Sequence, residues 1–294
     1  MGITQLARAK VNLTLKVLGR RSDGYHAIES LVTFAGVADR LSLRPGEPVE
    51  VVARGPFADG IEGVNILEVA MRLLREEAPN LRLGRIELEK NIPVAAGLGG
   101  GSADAGALLR MVALLNAEAG HDRRLRALAR RLGADVPVCF ADRPALIRGV
   151  GEELNPLPMA ARRAPFLPVV LANPRQPLAT ARVFAALRAA PATGTPATPV
   201  PAFASLQSLL DYIVAVGNDL EPPAIALAPV IAQLKAALLA QPSCRLAAMS
   251  GSGPTCFAIF TGEDRAQAAA AELRRAWPGW WIVATHLEGL TGSA

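Results

Sequence analysis

Four glycines stand in five positions of the run PVAAGLGGGSADA, Pro93 to Ala105: Gly97, Gly99, Gly100 and Gly101. Before the run, Arg85 to Lys90 alternate apolar and polar residues; after it, Leu108, Leu109, Val112 and Leu115 recur at helical spacing. Glycines at a strand-to-helix junction leave backbone N–H groups bare at the positive end of the helix dipole, and phosphate suits such a place. The run is no Walker A loop, which needs Lys-Ser/Thr after its last glycine. Nor is it a dinucleotide fingerprint, which needs glycine where Ser102 stands. From spacing alone, an anion site and a flexible turn capped by Ser102 are both open.

Asp135 is the acidic residue of GADVPVCF, between a helix stop and an apolar run. A carboxylate there serves as a general base or as a helix-terminal cap, and spacing does not choose. Lys10 starts a stretch in which Val11, Leu13, Leu15 and Val17 alternate with Asn12, Thr14 and Lys16. That is the pattern of a half-buried strand, on whose polar side a lysine is ordinarily a solvated edge residue. In DGYHAIES, Tyr25 and His26 are either a part-packed surface pair or rings that hold a flat heterocycle by stacking and edge hydrogen bonds. The second glycine cluster, MSGSGPTCFAIF from Met249 to Phe260, reads as a tight turn before an apolar strand. His121 and His286 are distant from His26 in sequence, so a protein metal site is not expected. No G-x-S-x-G elbow surrounds Ser102, Ser250 or Ser252, which argues against a serine hydrolase.

These residues need elements to hold them. Strand-like pieces at Ile28 to Phe34, Arg40 to Leu43 and Val49 to Ala53 predict a largely antiparallel sheet in the first third. A helix follows on Ile66, Val69, Ala70, Leu73 and Leu74 with Asn65 as N-cap, then the strand before the glycines and the helix after them. A third helix carries Leu125, Leu128, Ala129 and Leu132, with Asp122 as cap and Gly133 as stop. Beyond about residue 155 the pattern restarts: a strand at Phe166 to Ala172, helices near 180 and 206, one helix over Ala224 to Ala240, then strand, helix, strand. Two domains are expected, 1–155 and 156–294, with a mobile surface loop at Ala189 to Pro201.

The composition supports an ordinary globule. At 294 residues and 51% hydrophobic, the chain buries enough surface to fold without staples, which excludes a disordered or disulfide scaffold. Cys139, Cys244 and Cys256 are an odd number with no C-x-x-C pair, so they read as reduced thiols. The net charge of +5 suits an anionic substrate, RNA or an acidic membrane without choosing among them. No signal peptide pattern opens the sequence, and the apolar stretch from Ala224 to Ala240 contains Pro229, Gln233 and Lys235. A cytoplasmic protein with no membrane partner is expected.

Taken together, AKVNLTLKVLGRRSDGYHAIES, NIPVAAGLGGGSADA, GADVPVCF, GNDLEPP and MSGSGPTCFAIF resemble, nearly end to end, the GHMP kinase superfamily. Within it the joined AKVNL strand and DGYH loop resemble the branch acting on a cytidine diphosphate sugar-alcohol of the non-mevalonate isoprenoid route. The resemblance implies an α+β, two-domain GHMP kinase fold, N-terminal ribosomal protein S5 domain 2-like and C-terminal ferredoxin-like. It implies ATP as co-substrate, Mg²⁺, and a monomer or weak homodimer. It implies that Gly97, Leu98, Gly99, Gly100, Gly101, Ser102 and Ala103, after Pro93, wrap the ATP phosphates, and that Asn65 lines the adenine site. Lys10 and Asp135 map to the catalytic pair; Asn12, Tyr25, His26, Thr180 and Phe184 map to substrate-binding positions.

Two residues depart from the pattern. Arg8 replaces the usual proline before A-K, and Ala103 replaces the second serine of the loop, leaving Ser102 as the side-chain oxygen for phosphate or Mg²⁺. Alternatives are another GHMP kinase, of homoserine or mevalonate type, and an RNA-binding S5-like module. With 4% aromatic residues and no basic stripe interleaved with rings, a nucleic-acid partner is not expected.

Overall fold

The computed structural model describes residues 2–117, 122–157, 166–191 and 199–290. The chain forms two compact units, each assembled from separated stretches. Unit 1 comprises Met1–Lys10, Val37–Val94 and Gly99–Arg143; unit 2 comprises Val11–Gly36, Ala95–Leu98 and Pro144–Ala294. Strands β1 (Ile3–Asn12) and β3 (His26–Pro45) pass from one unit into the other.

In unit 1 the second half of β3 pairs antiparallel with β5 (Gly84–Glu89), Arg40 opposite Glu89 and Leu43 opposite Ile86. Strand β4 (Val51–Arg54) pairs with β5 in parallel, the exception to the antiparallel expectation. Four helices pack together beside these strands: α1 (Ile66–Glu77), α2 (Gly100–Leu115), α3 (Asp122–Leu132) and α4 (Val136–Ala141). Asn65 caps α1 as expected, its Oδ1 accepting from Leu67 N–H at 2.9 Å. Helix α2 is buried continuously from Ala103 to Leu109. At Gly106 a Cβ would lie 2.6 Å from the Cys139 carbonyl carbon, so only glycine lets the α4 backbone approach this closely.

In unit 2, β2 (Lys16–Arg20) and β6 (Ala145–Gly149) pair with the first half of β3, and β7 (Glu153–Pro156) pairs with β6. Strands β11 (Trp281–Leu287), β8 (Leu167–Asn173), β10 (Cys256–Phe260) and β9 (Cys244–Met249) continue in that order, antiparallel, from a β3 contact of Ala35 with Leu287. Helices α5 (Thr180–Leu187), α6 (Leu206–Val216), α7 (Glu221–Leu227), α8 (Val230–Leu239) and α9 (Glu263–Ala276) complete the unit, α8 and α9 packing on this sheet.

Three expectations need correction. The pieces at 28–34 and 40–43 are one strand, because Gly36 lets β3 run past the His286 ring, which lies 2.6 Å from where a Cβ would be. The alternation from Val11 to Val17 is not one half-exposed strand. It breaks between β1 and β2, and every residue from Val11 to Leu15 is buried. The polar ones are satisfied inside: Asn12 Nδ2 donates to Ser30 Oγ at 2.8 Å and Thr14 Oγ1 accepts from Leu31 N–H at 3.1 Å. The single helix over Ala224 to Ala240 is two, α7 and α8, because Pro229 disfavours helical backbone at Ala228, which sits at φ −142°, ψ 84°. Helix α4 and strands β6, β7 and β9 have no counterpart among the elements expected from the sequence.

Residues 192–198 of the expected loop, and the side chain of the expected cap Asp122, lie outside what the structure describes, as does His121. Among the described residues no helix is long and apolar enough to cross a membrane. The three cysteines are unpaired, Cys139 and Cys256 buried.

Candidate active site

Lys10, at the end of the unit 1 part of β1, is 4% exposed, which overturns the expectation of a solvated edge lysine. Its Nζ donates to Asp135 Oδ1 at 2.8 Å, an ion pair in which the lysine side chain is 5% and the aspartate side chain 35% exposed. Asp135 occupies the N-cap position of α4, yet its side chain makes no capping bond. The cap reading left open by the sequence therefore fails, and the carboxylate is turned to the lysine instead.

The glycine run abuts this pair. Gly99 is the N-cap of α2 in the left-handed region, φ 62°, with no side-chain cap. A Cβ at Gly99 would lie 3.0 Å from Lys10 Cε and 3.3 Å from Lys10 Cβ, so the lysine stem lies directly against the turn. Ser102 is the third residue of α2 and caps nothing; the turn-capping alternative is not what forms. The first turn of α2 thus offers backbone N–H groups without a capping side chain, beside a buried ammonium paired with a part-exposed carboxylate.

Beneath that first turn lies a cluster the sequence did not reveal. Lys90 Nζ donates to Asp39 Oδ2 at 2.5 Å and to Asp104 Oδ2 at 2.6 Å, all three groups being 4% exposed or less. Asp39 Oδ1 also accepts from the N–H groups of Asn91 and Ile92. Asp104 Oδ1 has no hydrogen-bond partner among the described residues, and burial, opposed by the charge of Lys90 and aided by that of Asp39, pushes its carboxyl up to about 8.

The upstream part of the glycine run, within unit 2, rests on the turn between β9 and β10. Ser250 Oγ donates to the Gly97 carbonyl at 3.1 Å, and Thr255 Oγ1 and N–H both reach the Ala96 carbonyl. A Cβ at Gly97 would meet the Gly253 carbonyl at 2.5 Å. The second glycine cluster is therefore more than a turn: it supports the loop.

Also in unit 2, the His26 ring stacks on Phe184 with centroids 4.9 Å apart. Burial, then the charge of Arg20, lowers the His26 pKa, which favours the neutral ring. Tyr25 is 64% exposed, and no ring contact joins it to His26. Thr180, at the start of α5, shares a 2.8 Å hydrogen bond with Ser252 of the same β9–β10 turn.

Residues 65–145 match the family model described as GHMP kinases N terminal domain, and residues 201–279 the one described as GHMP kinases C terminal. The 4-diphosphocytidyl-2-C-methyl-D-erythritol kinase of Rhodopseudomonas palustris (strain HaA2) is 47% identical over 302 residues, 97% of this chain and 98% of its own. The enzyme of that name from Methylobacterium radiotolerans is 48% identical over 287 residues, covering 96% and 97%. The chain belongs to the 4-diphosphocytidyl-2-C-methyl-D-erythritol kinase family of GHMP kinases.

A crystal structure of a kinase of this family superposes with a TM-score of 0.76 at 36% identity, over 98% of this chain and 100% of that one. Homoserine kinase from Cytophaga hutchinsonii superposes at 0.67 with 20% identity, over 99% and 96%, and shares the fold alone. The two-domain α+β GHMP kinase fold expected from the sequence is the fold found.

Of the other positions that the kinase-family motifs suggest, Pro93 and Leu98 are buried, Gly100 is half-buried and Gly101 exposed, and Asn65 is spent on capping α1. Asn12 is 2% exposed, its backbone N–H on Ser250 Oγ and its amide on Ser30. Ala103 is 2% exposed, so a serine there would place its hydroxyl within the helix packing. Arg8, in place of the kinase motif's proline, is ion-paired with Asp142 at 3.0 Å.

Proposed function

We propose that this chain transfers the γ-phosphoryl group of ATP to the 2-hydroxyl of 4-diphosphocytidyl-2-C-methyl-D-erythritol, in the cytoplasm, as a step of the non-mevalonate isoprenoid route. The single observation that carries the reading is the ion pair of buried Lys10 with part-exposed Asp135, the lysine stem lying against Gly99 at the uncapped start of α2. Phosphoryl transfer asks a protein for positioning and electrostatic stabilisation, and these three residues supply both.

Asp135, about a third exposed, accepts the proton of the attacking hydroxyl as its oxygen closes on phosphorus; such a base contributes roughly 10²- to 10⁴-fold. Lys10 holds that carboxylate in place and stabilises charge on the hydroxyl oxygen. The N–H groups of Gly100, Gly101 and Ser102 hold the phosphates, and Gly99 keeps that space clear. His26 and Phe184 recognise the cytosine, a neutral imidazole being able to donate or accept at the base edge.

The donor set suits Mg²⁺, which uses few protein oxygens and otherwise phosphates and water. Among the described residues no three His, Cys, Asp or Glu side chains gather for a metal, while the Ser102 hydroxyl sits in the uncapped turn. Ser102 would hold the ion, which when bound neutralises charge between the phosphates.

The test is a coupled ADP-release assay with the cytidylyl substrate, homoserine and mevalonate. Turnover with the first alone is expected. ADP release with homoserine or mevalonate and none with the cytidylyl compound would overturn the assignment.

A further inference from the structure

Strand β1 and helix α4 are joined at both ends of the helix. At its start Lys10 reaches Asp135; at its end Arg8, two residues earlier and so on the same face of β1, reaches Asp142. The second contact is two-pronged. Arg8 Nε donates to Asp142 Oδ1 at 3.0 Å and its terminal nitrogen to the Asp142 carbonyl at 2.8 Å. Asp142 is the C-cap of α4, in the left-handed region at φ 51°. Arg110 of α2 closes the arrangement, donating to the Cys139 carbonyl in the last turn of α4 and to the Leu6 carbonyl of β1.

A helix of six residues has almost no stability of its own, so its neighbours decide where its first residue stands. Asp135 makes no capping bond that would fix it locally. We propose that Arg8 and Asp142 are positioning residues for proton transfer: by gripping the end of α4 on β1, they set the distance between Lys10 and Asp135 at its start. The inference rests on the reading of Asp135 as the base.

Three variants and one double variant test it. Asp142→Asn keeps an oxygen acceptor and suits the left-handed backbone, so it should fold. Its kcat should fall roughly tenfold or more, because small misplacements of a reacting group are costly, while both KM values stay within about twofold. Arg8→Gln should behave alike. In an Asp135→Asn background, adding Asp142→Asn should cost nothing further, because the distance it sets no longer matters. Unchanged kcat in Asp142→Asn and Arg8→Gln overturns the proposal, and so does a loss that simply adds to that of Asp135→Asn. If neither single variant folds, the pair is a structural staple and the proposal falls. Normal turnover by Asp135→Asn removes the base assignment itself, a failure visible without any variant at Arg8 or Asp142.

Discussion

His26 and Phe184 lie face to face with ring planes 28° apart and centroids 4.9 Å apart, too close to admit a base between them. A cytosine therefore stacks on an outer face of the pair or parts it. Phe184→Ala should raise the KM of the cytidylyl substrate by the equivalent of about 1 to 3 kcal/mol, with ATP KM nearly fixed. The same change relieves the burial that depresses His26, so an NMR titration should find its pKa moved up toward 6.5. An effect on ATP alone would remove both rings from base recognition.

Lys10 and Asp135 separate in their consequences. Asp135→Asn should keep nucleotide binding and lose roughly 10²- to 10⁴-fold in kcat, since shape is retained and proton acceptance is not. Lys10→Ala should lower kcat too, but it also empties a buried site, so its melting temperature should fall clearly below that of Asp135→Asn. Calorimetric melts beside initial rates would show the split; equal melting temperatures would contradict it.

Gly99 should tolerate no side chain. Alanine there is strained by about 1 to 2 kcal/mol at φ 62°, and its methyl presses on the Lys10 stem. Gly99→Ala should therefore weaken ATP binding and lower kcat together, whereas a loop that only held phosphate would show the first effect alone. Titration calorimetry with ATP and steady-state rates give the two readouts.

The Lys90–Asp39–Asp104 cluster gives a pH signature. An unfolded Asp104 loses its proton near 3.8 and the folded one keeps it to about 8. Across that window the folded state binds more protons, so this group's contribution to stability declines as pH rises from about 4 to about 8 and then levels. Asp104→Asn should remove the decline. Urea melts of both proteins at pH 5, 7 and 9 should find the asparagine variant gaining on the parent with rising pH, and parallel curves would refute the assignment.

How much of this was legible beforehand follows the range of the forces involved. The Asn65 cap, the glycines at the start of α2 and the break after Leu132 were readable because capping, left-handed backbone and apolar period act within a few residues. The burial of Lys10, Asn12 and Thr14 was not, since alternation reports which side chains are polar and not what covers them. Nor could spacing choose a role for Asp135, whose partner is 125 residues away, or show that Ser250 supports Gly97 across 153. The sequence by itself determined the first three helices, the place of the glycines at the start of α2 and, through its motifs, the kinase family. Tertiary structure alone decided which charges meet, because pairing a buried ammonium with a distant carboxylate depends on both strand and helix being packed before either group can shed its water.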